Sequence, residues 1–240
     1  MQPKNNDVDR FVGGRGQLVY RWLDPSINSL LDFGCDDGNG SFLFSKKANL
    51  VWGIDVNEKS INLAKNKFPE INFLVNKSEK LPFDNNYFDA VIMTDVLEHV
   101  DSEINAINEI FKVLKSGGQF IITTPHKGLF AFLDPANFKL IFRRKNLPGQ
   151  RTKHTHYTLK DINLLLKNSA FADNYLIEKV FRSGLLLEPL GIILKVILRK
   201  FIGKKNAEKV LTPIFWLSSL EYWIPFGPLS YNIALSIRKR

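Results

Sequence analysis

One cysteine, Cys35, stands in 240 residues, so no intramolecular disulfide can form and nothing points to an oxidising compartment. The opening run MQPKNNDVDRF has no apolar stretch of the kind a secretory leader needs, and a cytoplasmic location is expected. Histidines are few as well: four, at positions 99, 126, 154 and 156. With the single cysteine placed among glycines they make no zinc-ligand spacing, and no metal is expected. The dinucleotide fingerprint G-x-G-x-x-G is missing too, because counting from Gly34 the next two glycine positions hold Asp36 and Asn39. Asp36 and Asp37 would also repel a pyrophosphate. A nicotinamide or nucleotide-phosphate site is thereby disfavoured. No internal repeat or low-complexity tract breaks the chain.

What is present is ordinary in amount and uneven in placement. Apolar residues make up 45% and charged residues 24%, proportions typical of a globular protein with a full core. Residues 139–240 hold 19 Lys and Arg against 6 Asp and Glu, a net of +13, whereas residues 1–138 hold 14 against 18, a net of −4. A basic carboxyl-terminal part can attract nucleic acid, anionic lipid headgroups or a phosphorylated substrate, or it can simply be a solvated face.

Short apolar runs alternate with amphipathic stretches from residue 29 to 125. SLLDFG (29–34), LVWGIDV (50–56), INFLVN (71–76), FDAVIMTDV (88–96) and GGQFIITTP (117–125) read as strands. GNGSFLFSKKA (38–48), EKSINLAKNKF (58–68) and EINAINEIFKVLK (103–115) read as helices between them. TLKDINLLLKNSAF (158–171) predicts a helix capped by Thr158 with Asp161 three residues on, and NYLIEKV (174–180) and YNIALSIRK (231–239) predict two more strands. The expected fold is therefore α/β: a Rossmann-like, seven-stranded, mostly parallel sheet with helices on both faces and an antiparallel last strand. A short helical segment would precede it. One domain spanning 1–240 is expected, with a core of 29–180 plus 231–239. An apolar insertion at about 184–229, interrupted by Pro189, Pro213, Pro225 and Pro228, would form a helical cap near the carboxyl terminus.

The run LLDFGCDDGNGSF (30–42) carries the functional signal. In a parallel sheet ligands bind beyond the carboxyl ends of the strands, and glycine there lets backbone approach a ligand closely. Asp55 ends the second strand, 21 residues after Gly34, where a carboxylate can accept both hydroxyls of a ribose. A ligand with a cationic head and a nucleoside tail suits such acidic surroundings. The run LLDFGCDDG, the strand-end Asp55, the segment SEKLPFDNNYFDAVIMTDVLEHV and the run VLKSGGQFIITTP together resemble the class I S-adenosylmethionine-dependent methyltransferases of the small-molecule, type 11-like group, over residues 29–125.

The resemblance implies S-adenosylmethionine as cofactor and assigns roles. Asp32 and Gly34 would line the methionine moiety, Gly38 would permit the turn, and Cys35 would pack under it. Asp55 would hold the ribose and Val56 would flank the adenine. Ser78 and Glu79 would contact the adenine ring, with Leu81 packed near it. Thr94 and Asp95 would face the cofactor near the reacting methyl. The family usually has glycine at the place of Asp36, whose charge suits the ammonium group, and an acidic residue near Lys77.

Methyl transfer is a displacement at carbon and needs a base only when the acceptor must lose a proton. His126, directly after the fifth strand, is the leading candidate for that base. His99, in LEHV, is the second and would start the helix after the fourth strand. His154 and His156 share a loop with Tyr157, where capping the next helix competes with catalysis. The expected reaction is O-methylation of a small-molecule, saccharide or lipid-linked acceptor. The alternatives are an RNA methyltransferase and a non-catalytic, membrane-associated cofactor-binding module. TDVLEH stands where enzymes acting on base amino groups carry an Asn/Asp-Pro-Pro-aromatic tetrad, which disfavours nucleic acid. SGLLLEPLGIILKVILRKFIGKK (183–205) and a 27-residue stretch (211–237) whose one charge is Glu221 admit two readings: a cap over the substrate pocket, or a cap that also rests on a membrane surface. The oligomeric state has no handle in the sequence.

Overall fold

The structure, a computed structural model, describes residues 13–25, 27–78, 80–129, 131, 155–185 and 187–240, with backbone alone at 188, 189, 192, 204, 205 and 208. Glu79, His154 and the basic run FRRK (142–145) lie outside the described residues.

Helix α1 (Gly14–Trp22) precedes strand β1 (Ile27–Phe33); α2 (Asn39–Phe44), β2 (Ala48–Asp55), α3 (Glu58–Lys67), β3 (Asn72–Val75), β4 (Phe88–Thr94), α4 (Glu103–Val113) and β5 (Leu114–Pro125) follow. The chain continues as α5 (Leu159–Lys167), β6 (Tyr175–Ser183), a long broken helix α6 (Leu187–Glu221), a short 3-10 turn (Gly227–Leu229) and β7 (Asn232–Lys239). The sheet order is β3-β2-β1-β4-β5-β7-β6. Strands β1 to β5 pair in parallel, and β7 runs antiparallel to both β5 and β6. The seven strands, the antiparallel last strand and the short leading helix all agree with the expectation.

Local chemistry explains the helix starts. Asn57 caps α3, its side chain accepting from the amides of Lys59 and Ser60 at 3.1 and 3.5 Å. Thr158 and Asp161 form a reciprocal capping box on α5: the Asp161 carboxylate accepts from the Thr158 amide at 2.8 Å, and the Asp161 amide donates to the Thr158 hydroxyl at 3.2 Å. Two apolar cores lie on opposite faces of the sheet. Phe88, Val91, Ile107, Ile110, Phe120, Ile162 and Phe171 fill one, and Val19, Leu30, Leu43, Phe44, Ile61 and Ile92 fill the other. Each buried side chain of this size contributes roughly 1.5–3 kcal/mol, which holds the central strands β1 and β4 between the two layers.

Strand order reverses at β1 and β4, since β1 leads outward to β2 and β3 while β4 leads to β5. The carboxyl ends of these strands share one edge, the place where such sheets bind ligands.

Candidate functional site

A cavity of about 780 Å³ opens at that edge, within the size range of small-molecule sites. Its walls come from four strand ends and the segment that enters α4: Gly34 after β1, Asp55 at the end of β2 with Val56 next, Asn76 to Ser78 after β3, and Thr94 at the end of β4 with Asp95 and His99 beyond it.

The turn after β1 is shaped by backbone geometry. Gly34 has φ +82°, and a Cβ added there would lie 2.2 Å from Val96 Cγ2, so neither a side chain nor an ordinary backbone angle fits. Its amide donates to the Ile54 carbonyl at 2.8 Å, tying β1 to β2 beneath the cavity. Asp36 also has a positive φ of 46°, a conformation Asp tolerates better than most residues. The Asp36 amide donates to Asp55 Oδ2 at 3.0 Å, and the Asn57 amide donates to Asp55 Oδ1 at 2.8 Å. The Asp55 carboxylate is thus fixed by one backbone donor per oxygen, with a lone pair of each oxygen left for a diol. Asp36 Oδ1 accepts from the Ser60 hydroxyl at 2.6 Å, which turns its charge toward α3.

At the other end of the cavity Asp95 has φ +54°. Its carboxylate pairs with Arg15 from α1 and accepts from Asn232 Nδ2 at 3.4 Å. Thr94 Oγ1 is buried without a hydrogen-bond partner among the described residues, a donor and acceptor set into the cavity wall. Of the ionisable groups lining the cavity, Asp36, Asp55, Asp95 and Asp101 are acidic, against Lys77 and the titratable His99. Lys77 leans to Glu58, 3.8 Å away on α3. This is a setting for a ligand with a positive head and a nucleoside, and the residues present fit S-adenosylmethionine.

The structure places the expected site residues in two sets. Gly34, Asp36, Asp55, Val56, Ser78, Thr94 and Asp95 line the cavity. Asp32, Cys35, Gly38 and Leu81 do not. Asp32 sits below the turn, accepting from the Ser41 hydroxyl at 2.6 Å. Burial pushes its carboxyl up to about 6, partly offset by the Ser41 bond and reinforced by Asp55. Cys35 is buried beside it, and burial drives its thiol well above the usual range, so it is not a reactive thiolate. Gly38 stands at the start of α2 against Phe73 and Ala64. Leu81 is packed in the core, its amide donating to Glu109 Oε2 at 2.9 Å. Asp32 faces inward because β1, which carries it, is buried on both faces.

The histidines sort differently from expectation. His126 does follow β5, but it is buried, outside the cavity lining, and its Nδ1 meets the Ser230 hydroxyl at 2.8 Å. Burial, the largest influence, lowers its pKa; the Ser230 carbonyl opposes this, and Arg182 and His156 lower it further. His99 lines the cavity and is exposed. It lies in a turn, its amide donating to the Val96 carbonyl at 2.8 Å, and it does not start a helix: α4 begins at Glu103, capped by Ser102, whose hydroxyl accepts from the Asn105 amide. The apolar insertion is helical as expected, yet none of its described residues lines this cavity. Arg15 stands in no motif of the sequence, and 80 positions separate it from Asp95; the one local signal is the glycine run around it, where a Cβ at Gly14 would lie 2.3 Å from the Tyr222 ring.

A parallel sheet with an acidic cavity at its switch point defines a class of ligand-binding α/β proteins. Comparison with known proteins narrows it. Residues 31–122 match the family model described as a methyltransferase domain. The demethylmenaquinone methyltransferase of Lactococcus lactis is 31% identical over 180 residues, covering 71% of this chain and 70% of its own. A Mycolicibacterium smegmatis protein named "Probable S-adenosylmethionine-dependent methyltransferase" is 28% identical over 119 residues, 49% of this chain and 46% of that one. The chain thus spans about half the length of the first curated relatives it matches. The crystal structure of the MccD protein superposes with a TM-score of 0.61 at 19% identity, over 93% of this chain and 96% of that one, a likeness of fold. The chain belongs to the S-adenosylmethionine-dependent methyltransferases, a family whose cofactor is S-adenosylmethionine.

Proposed function

We propose that the protein transfers a methyl group from S-adenosylmethionine to a hydroxyl oxygen of a small-molecule, saccharide or lipid-linked acceptor. The observation that carries the reading is the Asp55 carboxylate, held by the Asp36 and Asn57 amides beside the Cβ-free turn at Gly34. Asp55 would accept the ribose hydroxyls, Val56 and Ser78 would border the adenine, and Gly34 would leave room for the methionine backbone. The cofactor supplies a methyl group on a cationic sulfur, which makes that carbon electrophilic without further activation.

What remains for the protein is to position the acceptor and take its proton. Positioning is the larger contribution, worth up to roughly 7–11 kcal/mol in favourable intramolecular cases. His99 is the imidazole in the cavity wall and takes the role of proton acceptor. His126 is bound to Ser230 and serves packing at the junction of β5 and β7. His99 would take the acceptor hydroxyl's proton as that oxygen receives the methyl group the cofactor would supply. The RNA alternative has no described element lining the cavity with cations beyond Lys77.

The test is radiolabelled methyl transfer to hydroxyl-bearing acceptors in three sets: free sugars, phenols and polyprenyl-linked sugars. Turnover with any set, reduced at least about tenfold in His99→Ala and restored at higher pH, supports the reading. Turnover with RNA alone, or cofactor binding without turnover on any acceptor, contradicts it.

A further inference from the structure

Helix α6 is two helices joined at Gly203, where φ 78° and ψ 167° break the helical path. The arms pack on each other: a Cβ added at Gly191 would lie 3.0 Å from Phe215 Cε1, and Lys195 Nζ stands 5.9 Å from the Phe215 ring. The residues flanking the break are thus the tip of a helical hairpin whose base is Tyr222, buried against Gly14 of α1 and Gly184. The inner faces account for Ala207, Leu211 and Ser218, all buried.

Large apolar side chains on both arms are exposed. On the first arm Leu190, Ile197 and Phe201 recur at helical spacing, all exposed, Phe201 to 79%. On the second arm Val210, Trp216, Leu217 and Leu220 are exposed, Trp216 to 62%. Exposed apolar residues in such number on one element mark an interaction surface. The described charged side chains from 190 to 220 are Lys195, Arg199, Lys200 and Lys209, all cations. The sequence there adds Lys204 and Lys205 against Glu208 alone. No described helix is long and apolar enough to cross a membrane.

We propose that this hairpin docks on the surface of an anionic lipid bilayer, with Phe201 and Ile202 at the tip entering the headgroup boundary and Arg199, Lys200 and Lys209 meeting anionic headgroups. The pairing of an apolar stripe with flanking cations is the chemistry of an interfacial helix. A second copy of the chain fits less well, because it would set Arg199 and Lys200 against the same charges. The proposal does not rest on methyl transfer and is tested without cofactor.

The experiment is co-sedimentation of the purified chain with vesicles of phosphatidylcholine and of phosphatidylcholine mixed with phosphatidylglycerol, at low salt, beside analytical ultracentrifugation without lipid. The expected result is partition into the mixed vesicles that falls at least about tenfold in Phe201→Asp. Each of Arg199→Gln and Lys200→Gln should lower it about fivefold, with thermal unfolding unchanged. Equal partition into both vesicle types, or undiminished partition of Phe201→Asp, would overturn the proposal. So would a dimer in solution that Phe201→Asp dissociates while the wild type ignores vesicles.

Discussion

The edge of the sheet around Gly34 and the helical hairpin around Gly203 solve opposite problems with the same residue. Both glycines hold a left-handed backbone angle, +82° and +78°. At Gly34 a Cβ would strike Val96 at 2.2 Å, while at Gly203 nothing lies within 4 Å. The first glycine lets two strands and a loop close around a cavity; the second merely reverses a helix in open space. The surroundings follow suit. Around the cavity the Asp55 carboxylate is held by two backbone amides, and Asp36 and Asp95 are paired with Ser60 and Arg15, whereas the hairpin leaves large apolar side chains in solvent. The proposed roles divide the same way: the first region would hold a small ligand in fixed geometry, and the second would meet a lipid surface.

Core truncation separates the two regions most strongly. Phe88→Ala, at a side chain with no exposure, should lower the unfolding free energy by about 3–5 kcal/mol. Phe201→Ala should change it by less than about 0.5 kcal/mol. Urea denaturation of both variants checks the pair, and a comparable loss for Phe201→Ala would show that the hairpin belongs to the folded core.

The two glycines come next. Gly34→Ala combines strain at positive φ with a clash against Val96 and should cost about 2–4 kcal/mol. Gly203→Ala carries the backbone term alone, at φ 78° and ψ 167°, about 1–3 kcal/mol. Equal costs would mean that the turn at Gly34 can yield, and with it the shape of the cavity.

The cavity region also carries a pH dependence. The Asp32 carboxyl is raised to about 6 in the folded chain against about 3.9 when unfolded. A raised carboxyl favours the protonated folded state. Its contribution is therefore fully present below the unfolded value and is lost as pH climbs through about 6. Asp32→Asn keeps the partner for Ser41 and removes the buried charge. It should be more stable than the wild type at pH 8, by about 2–3 kcal/mol, with the gap closing toward pH 4. Thermal unfolding across that range reads the effect directly. The smallest change is expected at Lys77, whose pairing with Glu58 is exposed on both sides: Lys77→Ala should shift stability by less than about 0.5 kcal/mol.

What could be read in advance was what local pattern encodes. The Thr158 and Asp161 box depends on residues three apart, and the alternation of strands and helices sets the parallel sheet without knowledge of contacts. Asp55 was legible because a strand end in such a sheet has one functional edge. The direction a side chain takes after the strand ends was not legible. His126 follows β5 as expected, but the antiparallel return of the chain brings Ser230 against its ring, and that return is more than 100 residues away in sequence. Arg15 reaches Asp95 across a similar gap. In the insertion the prolines suggested the break points, yet Pro213 sits inside the helix and Gly203 makes the turn. Proline announces itself in sequence; a glycine with nothing near it does not.

Titration calorimetry of S-adenosylmethionine and S-adenosylhomocysteine into the wild type and Asp55→Ala tests the central claim most directly. The account predicts one site per chain in the wild type, with affinity for both ligands reduced at least about a hundredfold when the carboxylate is removed, as for a lost charged partner in a ribose pocket. Binding that survives Asp55→Ala unchanged, or a wild type that binds neither ligand, would contradict the reading of the β1–β4 edge as the cofactor site.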